Sequence, residues 1–390
     1  MRRDRAIFQQ KNTCDEMQKL RNHMPLPTIG IFIPQWLTRS DKSDKYFAEQ
    51  LLDTIYASGR YRAIAIDLEH LVLTDFDQAQ DFCREHNLVA VLNHHSHYYS
   101  SSGTYARTTE LLAQCVPFFN SRDAHRVGHN KAHTKQMLRE QGIPVLDDVI
   151  VSTLQELREA FRDGQWHVVK PLSGGGGMGV RLLRERGGGL SELHYGYWHN
   201  LTVRNGTGGV WVRRDMTALS AAVSTVFVII GAGLLMKVLS VSVFLALLLA
   251  MLYIFLNRYD AGCTYRPMLV ERYFNDEPRG FASLRCTVIG GEVVEAVKRI
   301  NPHNITSNVS NGGVAYAIEL TEYQKEIAVA ATKVIGADYA GVDMLVYGGE
   351  TVIGEINIGP ITVFCKKTGV NVGKLLGEYL VKKCDEIGVS

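Results

Sequence analysis

Residues 341–357 read GVDMLVYGGETVIGEIN, two apolar runs separated by a pair of glycines. Both runs, Met344–Tyr347 and Thr351–Asn357, are rich in residues that favour β-strands. Gly348-Gly349 suits the tight turn of a hairpin, because glycine adopts the positive φ angles that such turns require. The stretch therefore predicts two antiparallel strands whose far ends return to the same place.

Three oxygen-bearing side chains lie at the open end of this predicted hairpin. Asp343 is expected to begin the first strand, and Glu355 and Asn357 to end the second. Glu355 and Asn357 are two residues apart, so their side chains face the same side of the sheet. Two carboxylates and an amide oxygen suit Mg²⁺ held jointly with substrate phosphates. The alternative is a solvated polar hairpin, which is disfavoured because uncompensated charge is costly within apolar strands.

A glycine-rich segment follows a second predicted strand, Trp166–Lys170. The chain continues as PLSGGGGMG, with consecutive glycines at Gly174–Gly177. Glycine lets the backbone approach a phosphate closely and direct several N–H groups at it. The spacing matches neither a Walker A loop nor a Rossmann fingerprint, and a flexible surface loop is the competing interpretation. Lys170 at the end of the strand favours nucleotide binding.

Three cations lie on two neighbouring predicted strands, Ala282–Ile289 and Glu292–Arg299. They are Arg285, Lys298 and Arg299. If Arg285 and Arg299 face one cleft, they supply positive charge for a transferring phosphoryl group. Exposed strand cations are the alternative interpretation.

The N-terminal part alternates short apolar runs with helix-like stretches. The predicted strands are Thr28–Pro34, Ala63–Ile66, Leu88–Leu92 and Val116–Phe119, and the predicted helices are Lys45–Ser58, Asp75–His86 and Thr104–Gln114. This alternation predicts a small parallel α/β domain. His94, His95 and His97 follow the third strand, where open α/β sheets place loops that contact substrate or metal. A solvated loop is the favoured interpretation, because loops generally lie at the surface.

Composition excludes several classes of protein. The chain has 390 residues with 42 Lys and Arg against 40 Asp and Glu, so it has no general electrostatic reason to bind nucleic acid. Its 7 cysteines form no CxxC pair, which is typical of reduced thiols rather than a disulfide framework or a zinc site. No secretory signal is visible, since no apolar run follows the basic N-terminus.

One segment departs from this soluble composition. Residues 216–256 are apolar apart from Lys237, and they divide into Thr217–Met236 and Val238–Leu256. About 20 apolar helical residues cross a bilayer core, so each half is long enough for one crossing. The interpretation is a membrane hairpin, with a buried helical pair or an oligomer interface as the alternative.

Together, these motifs resemble those of an ATP-grasp ligase. They occur in that family's order: Asn120-Ser, Lys131, GIP, VVKPLSGGGGMGV, VERYF, LRCTVIGGEVVEAVKR, NVSNGG, GVDMLV, GEINIGP and KKTGVNV. The chain is most similar to the ribosomal-protein glutamate ligase (RimK-like) branch, over about residues 116–186 and 264–383. The resemblance is specific because many short motifs share one order.

The resemblance implies a role for each candidate residue. ATP-binding roles fall to Lys131, Lys170, Ser173, Gly174, Gly175, Gly176, Gly177, Glu271, Tyr273 and Asn308. Arg285 and Arg299, with Lys298, would act on the transferred phosphoryl group. Asp343, Glu355 and Asn357 would hold two Mg²⁺ ions, which Mn²⁺ can replace. The chain departs from the family at Ser283, where the family usually has an acidic residue. It also departs at Gly359 and Ile361, where the family's Asn-x-Ser-Pro-Gly motif has Ser and Gly.

The expected fold class is α/β: an ATP-grasp fold preceded by a small parallel α/β domain and interrupted by an apolar helical transmembrane hairpin. The expected boundaries are an irregular or helical arm (1–26), the front α/β domain (27–120), the first ATP-grasp subdomain (121–186), an insertion (187–263) containing the hairpin (217–256), and the second subdomain with the Mg²⁺ site (264–390).

The resemblance implies a ligase that joins a carboxylate, through an acyl phosphate, to an amine, and the apolar segment implies that this ligase is anchored in a membrane. The substrates are expected to be amino acids or peptides, and the products ADP and phosphate. The catalytic part is expected on the cytoplasmic side of the inner or plasma membrane, anchored in lipid through residues 217–256. Open alternatives are an inactive nucleotide-binding scaffold and a ligase that forms an ester or thioester. Homo-oligomerisation is also left open.

Overall fold

The computed structural model describes residues 7–8, 26–33, 42–68, 70–94, 103–174, 177, 179–186, 189–192, 267–360 and 364–388. The chain divides into two compact units. Unit 1 comprises Met1–Val145, Ala282–Ile300 and Val314–Ser390, and unit 2 comprises Leu146–Phe281 and Asn301–Gly313.

The strands and helices of the described residues are as follows. The strands are β1 (Ile7–Phe8), β2 (Thr28–Phe32), β3 (Arg62–Ile66), β4 (Leu88–Leu92), β5 (Phe118–Phe119), β6 (Asp148–Val151), β7 (His167–Pro171), β8 (Arg181–Arg186), β9 (Gly189–Glu192), β10 (Met268–Arg272), β11 (Phe281–Ile289), β12 (Glu292–Asn301), β13 (Val314–Ala317), β14 (Tyr339–Tyr347) and β15 (Glu350–Ile358). The helices are α1 (Lys42–Ala57), α2 (Phe76–Glu85), α3 (Gly103–Cys115), α4 (Arg122–Gly128), α5 (Lys131–Glu140), α6 (Leu154–Ala160), α7 (Glu322–Val334), α8 (Cys365–Thr368) and α9 (Val372–Glu386).

The front sheet of unit 1 has the order β1-β3-β2-β4-β5. Strands β3, β2, β4 and β5 run parallel, which confirms the predicted small parallel α/β domain. All five residues of β2 are buried, because helices cover both faces of a parallel sheet. Strand β1 pairs antiparallel with β3, so the prediction that residues 1–26 are irregular or helical is wrong at Ile7–Phe8.

The second sheet of unit 1 has the order β13-β12-β11-β14-β15, and its two faces differ in chemistry. One face is apolar: Cys286, Val342 and Ile356 are buried in one cluster with Leu138 of α5 and Ala331 of α7. The opposite face carries charged and polar side chains. Because successive side chains of a strand point to opposite faces of the sheet, the apolar core lies on one face and the candidate site on the other.

A β-bulge at Gly354 sets the phase of strand β15. Asp343 pairs with Glu355, whereas the next residue, Met344, pairs with Ile353, so Gly354 is the extra residue. In a regular strand Ile353 and Glu355 would share a face. The bulge instead lets Ile353 point into the apolar cluster while Glu355 faces the same side as Asp343. Asp343 lies in the middle of β14, so the prediction that it begins this strand is wrong.

Unit 2 contains an antiparallel sheet of order β6-β10-β7-β8-β9. Val151, Val169 and Met268 of this sheet bury against Leu157 and Phe161 in and after α6. Strands β8 and β9 were not predicted, and β9 lies inside the stretch attributed to the insertion. Strands β7 and β10 pair although they lie on opposite sides of that stretch in sequence.

Among the helices that the structure describes, none combines the length and the apolar character needed to cross a bilayer. The predicted membrane hairpin, residues 217–256, falls outside the described residues.

Asn120, at the end of the front sheet, joins it to β14 through its side chain and backbone. Its Oδ1 accepts hydrogen bonds from the backbone N–H groups of Asp338 and Tyr339, both 2.9 Å, and its Nδ2 donates to the Tyr339 carbonyl at 2.8 Å. Its own N–H donates to the Asp338 carboxylate at 2.8 Å. Its φ of 55° lies in the left-handed region, which asparagine tolerates better than most residues.

Asn120→Ala is expected to lower the free energy of unfolding by about 3 kcal/mol or more, since it leaves two backbone N–H groups without their acceptor at about 1–3 kcal/mol each. Urea unfolding followed by circular dichroism measures the change. Asn371→Ala is the matched control: Asn371 caps α9 by accepting from Lys374 N–H at 3.0 Å. Loss of such a cap costs about 1 kcal/mol. Equal losses for the two variants would contradict the proposed role of Asn120.

Candidate active site

Asp343, on the polar face of the second sheet in unit 1, is the centre of a buried charge cluster. Arg285 donates from Nε to Asp343 Oδ1 and from Nη2 to Oδ2, the latter at 2.7 Å. Arg299 donates from Nη2 to Asp343 Oδ1, also at 2.7 Å. Arg285 lies on β11, Arg299 on β12 and Asp343 on β14, so the sheet itself brings three residues distant in sequence together.

The cluster keeps Asp343 ionised. Burial alone would raise the pKa of its carboxyl, but Arg285 and Arg299 outweigh burial and hold the pKa at about 2. Burial lowers the pKa of Arg299, and Asp343 opposes that shift. An arginine side chain keeps its charge in proteins. Two guanidinium groups therefore face one carboxylate, and the excess positive charge suits an anion such as a phosphoryl group.

Ser283 completes the surroundings of Arg299. Its Oγ accepts hydrogen bonds from Arg299 Nη2 at 2.7 Å and from Nε at 3.2 Å. This is the position where the resembling family usually has an acidic residue. A neutral hydroxyl orients the guanidinium without cancelling its charge, so the substitution leaves the cluster more positive than a carboxylate would.

Glu355 and Asn357 lie beside Asp343 on the same face. Glu355 is the cross-strand partner of Asp343, and the Asn357 Nδ2 lies 3.4 Å from Asp343 Oδ2. The structure thus brings together the three predicted metal ligands. Lys131, at the start of α5, forms a salt bridge of 3.1 Å with Glu355.

The donor set of this group fits a hard cation. No group of three or more His, Cys, Asp and Glu residues that could hold a metal occurs within the described residues. Two carboxylates and one amide are therefore a partial shell, as is common for Mg²⁺, which keeps waters and substrate phosphates as its remaining ligands. Asp343 already accepts from two arginines, so a cation at this carboxylate would replace one of those donors.

Lys298 does not belong to this cluster. It precedes Arg299 directly on β12, and successive side chains of a strand point to opposite faces. Its expected role together with Arg285 and Arg299 is therefore corrected: Lys298 lies on the face away from Asp343.

Unit 2 contains a second group of predicted site residues. Lys170, at the end of β7, forms a salt bridge of 2.6 Å with Glu271 of β10, and both side chains are largely buried. Tyr273, the residue directly after β10, donates its N–H to the Trp166 carbonyl at 2.8 Å. The Glu271 carboxylate holds the Lys170 ammonium in a fixed position, as phosphate binding requires.

The glycine segment follows this ion pair. Gly174 and Gly177 have φ angles of 119° and 74°, in the region that favours glycine. Ser173 is exposed, and Gly175 and Gly176 lie outside the described residues. A Cβ at Gly177 would lie 2.7 Å from Thr306 Cγ2, so Gly177 packs closely against the loop that contains Asn308. Asn308 itself accepts from the N–H groups of Asn311 and Gly313 through its carbonyl.

Comparison with known proteins agrees with these motifs. Residues 214–380 match the model of a RimK-like ATP-grasp domain. The protein "Probable alpha-L-glutamate ligase" of Enterobacter sp. (strain 638) is 38% identical over 112 residues, 28% of this chain and 37% of that protein. The protein of the same name from Methanococcoides burtonii is 37% identical over 117 residues, 30% of this chain and 38% of that protein. The chain thus spans less than half the length of these relatives.

Solved structures share the whole fold at low identity. The D-cycloserine synthetase DcsG covers 91% of this chain, and the chain covers 99% of it, with a TM-score of 0.55 and 12% identity. The ATP-grasp ligase PsnB in complex with a minimal precursor covers 92%, with 100% of that chain matched, a TM-score of 0.53 and 14% identity. The fold is therefore the ATP-grasp fold, as predicted, and within it the chain is similar to the RimK-like branch.

Sequence reasoning missed Gly341, which lies between Asn357 and Arg285. A Cβ at Gly341 would lie 2.9 Å from Arg285 Nη1 and 3.2 Å from Pro360 Cβ. The absence of a side chain here lets Arg285 lie flat against β14 and reach Asp343. A glycine within an apolar strand is the signal that could have indicated this close approach.

Gly341→Ala is expected to lower turnover about tenfold or more, because the added methyl displaces Arg285 from Asp343 without removing any charge, and small misplacements at a reacting centre are costly. Steady-state kinetics of ADP release measures it. Gly336→Ala is the control, since its Cβ would meet nothing within 4 Å and only its φ of 70° opposes the change. Normal turnover in Gly341→Ala would exclude the proposed importance of the Arg285 position.

Proposed function

We propose that this protein is an ATP-dependent ligase that joins a carboxylate to an amine. The observation that carries the proposal is the cluster of Arg285, Arg299 and Asp343 on one sheet face of an ATP-grasp fold, beside Glu355 and Asn357. The RimK-like match over residues 214–380 supports the same reaction class.

In the proposed reaction, the γ-phosphoryl group of ATP passes to the substrate carboxylate. The acyl phosphate is then attacked by an amine, which forms an amide and releases phosphate. Arg285 and Arg299 stabilise the charge that spreads over the phosphoryl oxygens during transfer. Glu355, Asn357 and Asp343 would hold Mg²⁺, which neutralises the triphosphate when bound. Lys131, held by Glu355, would bind a phosphate oxygen.

The residues of unit 2 suit nucleotide binding. Lys170, fixed by Glu271, supplies a positioned ammonium for a phosphate. Glycine has no Cβ to keep a phosphate from the backbone N–H groups, so the glycines after Lys170 suit phosphate binding, and a loop closed over the reacting group would exclude water from the acyl phosphate. The backbone around Glu271 and Tyr273 is proposed to contact adenine, and Asn308 the acceptor.

The substrates are proposed to be an amino acid or peptide on each side of the new bond. The relatives named "Probable alpha-L-glutamate ligase" make glutamate the first acid to test. Hydroxyl or thiol acceptors would give an ester or thioester. Mass spectrometry of products formed from ATP and an amino-acid mixture distinguishes these outcomes, and absence of any ADP release under all conditions favours an inactive nucleotide-binding scaffold.

Glu355→Gln is expected to lower ATP turnover at least about a hundredfold while the fold is kept, because it removes a charged metal ligand and the partner of Lys131. Glu350→Gln is the matched control. It lies on the same strand, is exposed, and pairs with Tyr347 at the opposite end of the hairpin. Coupled ADP detection at saturating Mg²⁺ measures both. Full activity in Glu355→Gln would refute the metal assignment.

We further propose that residues 217–256 anchor the protein in the inner or plasma membrane as a two-crossing hairpin. Strand β7 precedes this segment and β10 follows it, yet the two strands pair; Lys131 and Glu355, also on opposite sides of it, form a salt bridge. Both flanks therefore lie on one side, so the number of crossings is even. Arg213-Arg214 and Arg258 flank the segment, which favours a cytoplasmic location for that side.

Lys237→Cys is expected to react with a membrane-impermeant maleimide in intact cells, because residue 237 would lie at the far turn, while Asn205→Cys is expected to be protected. The parent chain, with its native cysteines, is the control for background labelling. Labelling at 205 but not at 237 would exclude the hairpin with cytoplasmic ends. Protection of both residues would favour a hairpin lying in one leaflet or a buried oligomer contact.

A further inference from the structure

His94, the first residue of the histidine-rich stretch after β4, is fully buried in unit 1. Its ring stacks on Phe47 and Tyr339, with centroid distances of 5.3 Å and 5.7 Å. Phe47 and Tyr339 themselves stack at 6.2 Å, so the three rings form one packed group. The solvated-loop interpretation of this histidine is therefore wrong.

Two members of this group bind the same carbonyl. The Tyr339 hydroxyl donates to the Pro360 carbonyl, and His94 forms a backbone hydrogen bond with Pro360. Proline has no N–H, so the bond from His94 ends on that carbonyl as well. Burial lowers the pKa of His94 to about 3, so its ring is neutral and keeps one N–H to donate. Both lone pairs of one carbonyl oxygen are thus used.

Gly359, the residue before Pro360, also packs against the backbone of His94. Gly359 has a φ of 61°, and a Cβ there would lie 2.0 Å from the His94 carbonyl oxygen. Only glycine fits such a contact. This contact explains the glycine at position 359, where the resembling family usually has Ser: the turn after β15 packs directly on the backbone of His94.

Pro360 lies next to the charge cluster. Its Cβ and the Nη1 of Arg285 both approach the point where a Cβ of Gly341 would be, at 3.2 Å and 2.9 Å. Gly341 is in turn the cross-strand partner of Asn357. The carbonyl that His94 and Tyr339 hold therefore belongs to a residue adjacent to Arg285 and three positions from a proposed metal ligand.

We propose that His94 is a positioning residue for the active site: together with Tyr339 it holds the Pro360 carbonyl, and so fixes the turn that keeps Arg285 and Asn357 in place around Asp343. The expected effect on catalysis rests on the proposed function, whereas the contacts of His94 with Tyr339 and Pro360 do not. A phenylalanine would fill the same stacked position, and an imidazole is costly to bury without a hydrogen bond. The hydrogen bond to Pro360 is the reason for a histidine.

The test compares three substitutions with a packing control. His94→Phe keeps the stacking and removes the N–H, His94→Gln restores a donor, and Tyr339→Phe removes the other donor. Ile55→Val is the control, because Ile55 is fully buried in the hydrophobic cluster that also contains Phe47 and Tyr339. Each full-length protein is assayed for Mn²⁺ affinity by electron paramagnetic resonance in the presence of ATP, for kcat and the KM of ATP, and for thermal unfolding.

His94→Phe and Tyr339→Phe are each expected to weaken Mn²⁺ binding about tenfold, as loss of a group that orients a ligand does, and to lower kcat more than they change the KM of ATP. His94→Gln is expected to recover most of the affinity. The double variant should lose less than the product of the single losses, because both donors act on one carbonyl. Ile55→Val should lower only the unfolding temperature.

Unchanged Mn²⁺ affinity in both single variants, or a loss in His94→Phe that His94→Gln does not reverse, would overturn the proposal and leave His94 as packing. The Mn²⁺ measurement separates this inference from the proposed function. If the wild-type protein never releases ADP but its Mn²⁺ affinity still depends on His94, the ligase proposal fails and the positioning role stands. If the wild type releases ADP and every His94 variant has the same turnover and Mn²⁺ affinity as the wild type, the positioning role fails and the ligase proposal stands.

Discussion

The buried Asp343 carboxylate and its two arginines are the interaction on which the candidate site depends. An ionised group this far from solvent is stable only when opposite charge and hydrogen bonds replace water. Arg285 and Arg299 meet that requirement from two different strands, so the sheet must hold β11, β12 and β14 in register for the charges to be tolerated. The same constraint leaves one positive charge in excess, and this excess suits phosphoryl transfer.

Several uncharged features serve this cluster. The bulge at Gly354 changes the phase of β15, so that Ile353 stays in the core while Glu355 joins Asp343. Gly341 leaves room for Arg285, and Ser283 orients Arg299 without neutralising it. None of these three residues is charged, yet each determines the position of a charged side chain. Function in this fold therefore depends on backbone geometry as much as on the ionised side chains.

The front domain supports the sheet that carries the cluster. The Asn120 side chain accepts from the backbone N–H groups at the start of β14, while His94 and Tyr339 hold the turn that follows β15. Both contacts are made by side chains to backbone groups. Such bonds position a chain segment without specifying its side chains, which is why the turn at Gly359 can differ from the family's usual motif and still be held in place.

By itself, the sequence determined the hairpin of residues 341–357, because period-two alternation and glycine turns are local signals. The order of its motifs, through their resemblance to a known family, predicted the fold class. The same motifs predict the metal ligands, a lysine for phosphate and a glycine segment, all of which the proposed function uses. The tertiary structure alone decided that Asp343 anchors both arginines, that Lys298 faces away, and that a bulge lies at Gly354. It also decided that His94 is buried against Pro360. These facts depend on pairing between residues distant in the chain, where shifting the register by one position reverses every side chain, and local sequence patterns do not encode that register.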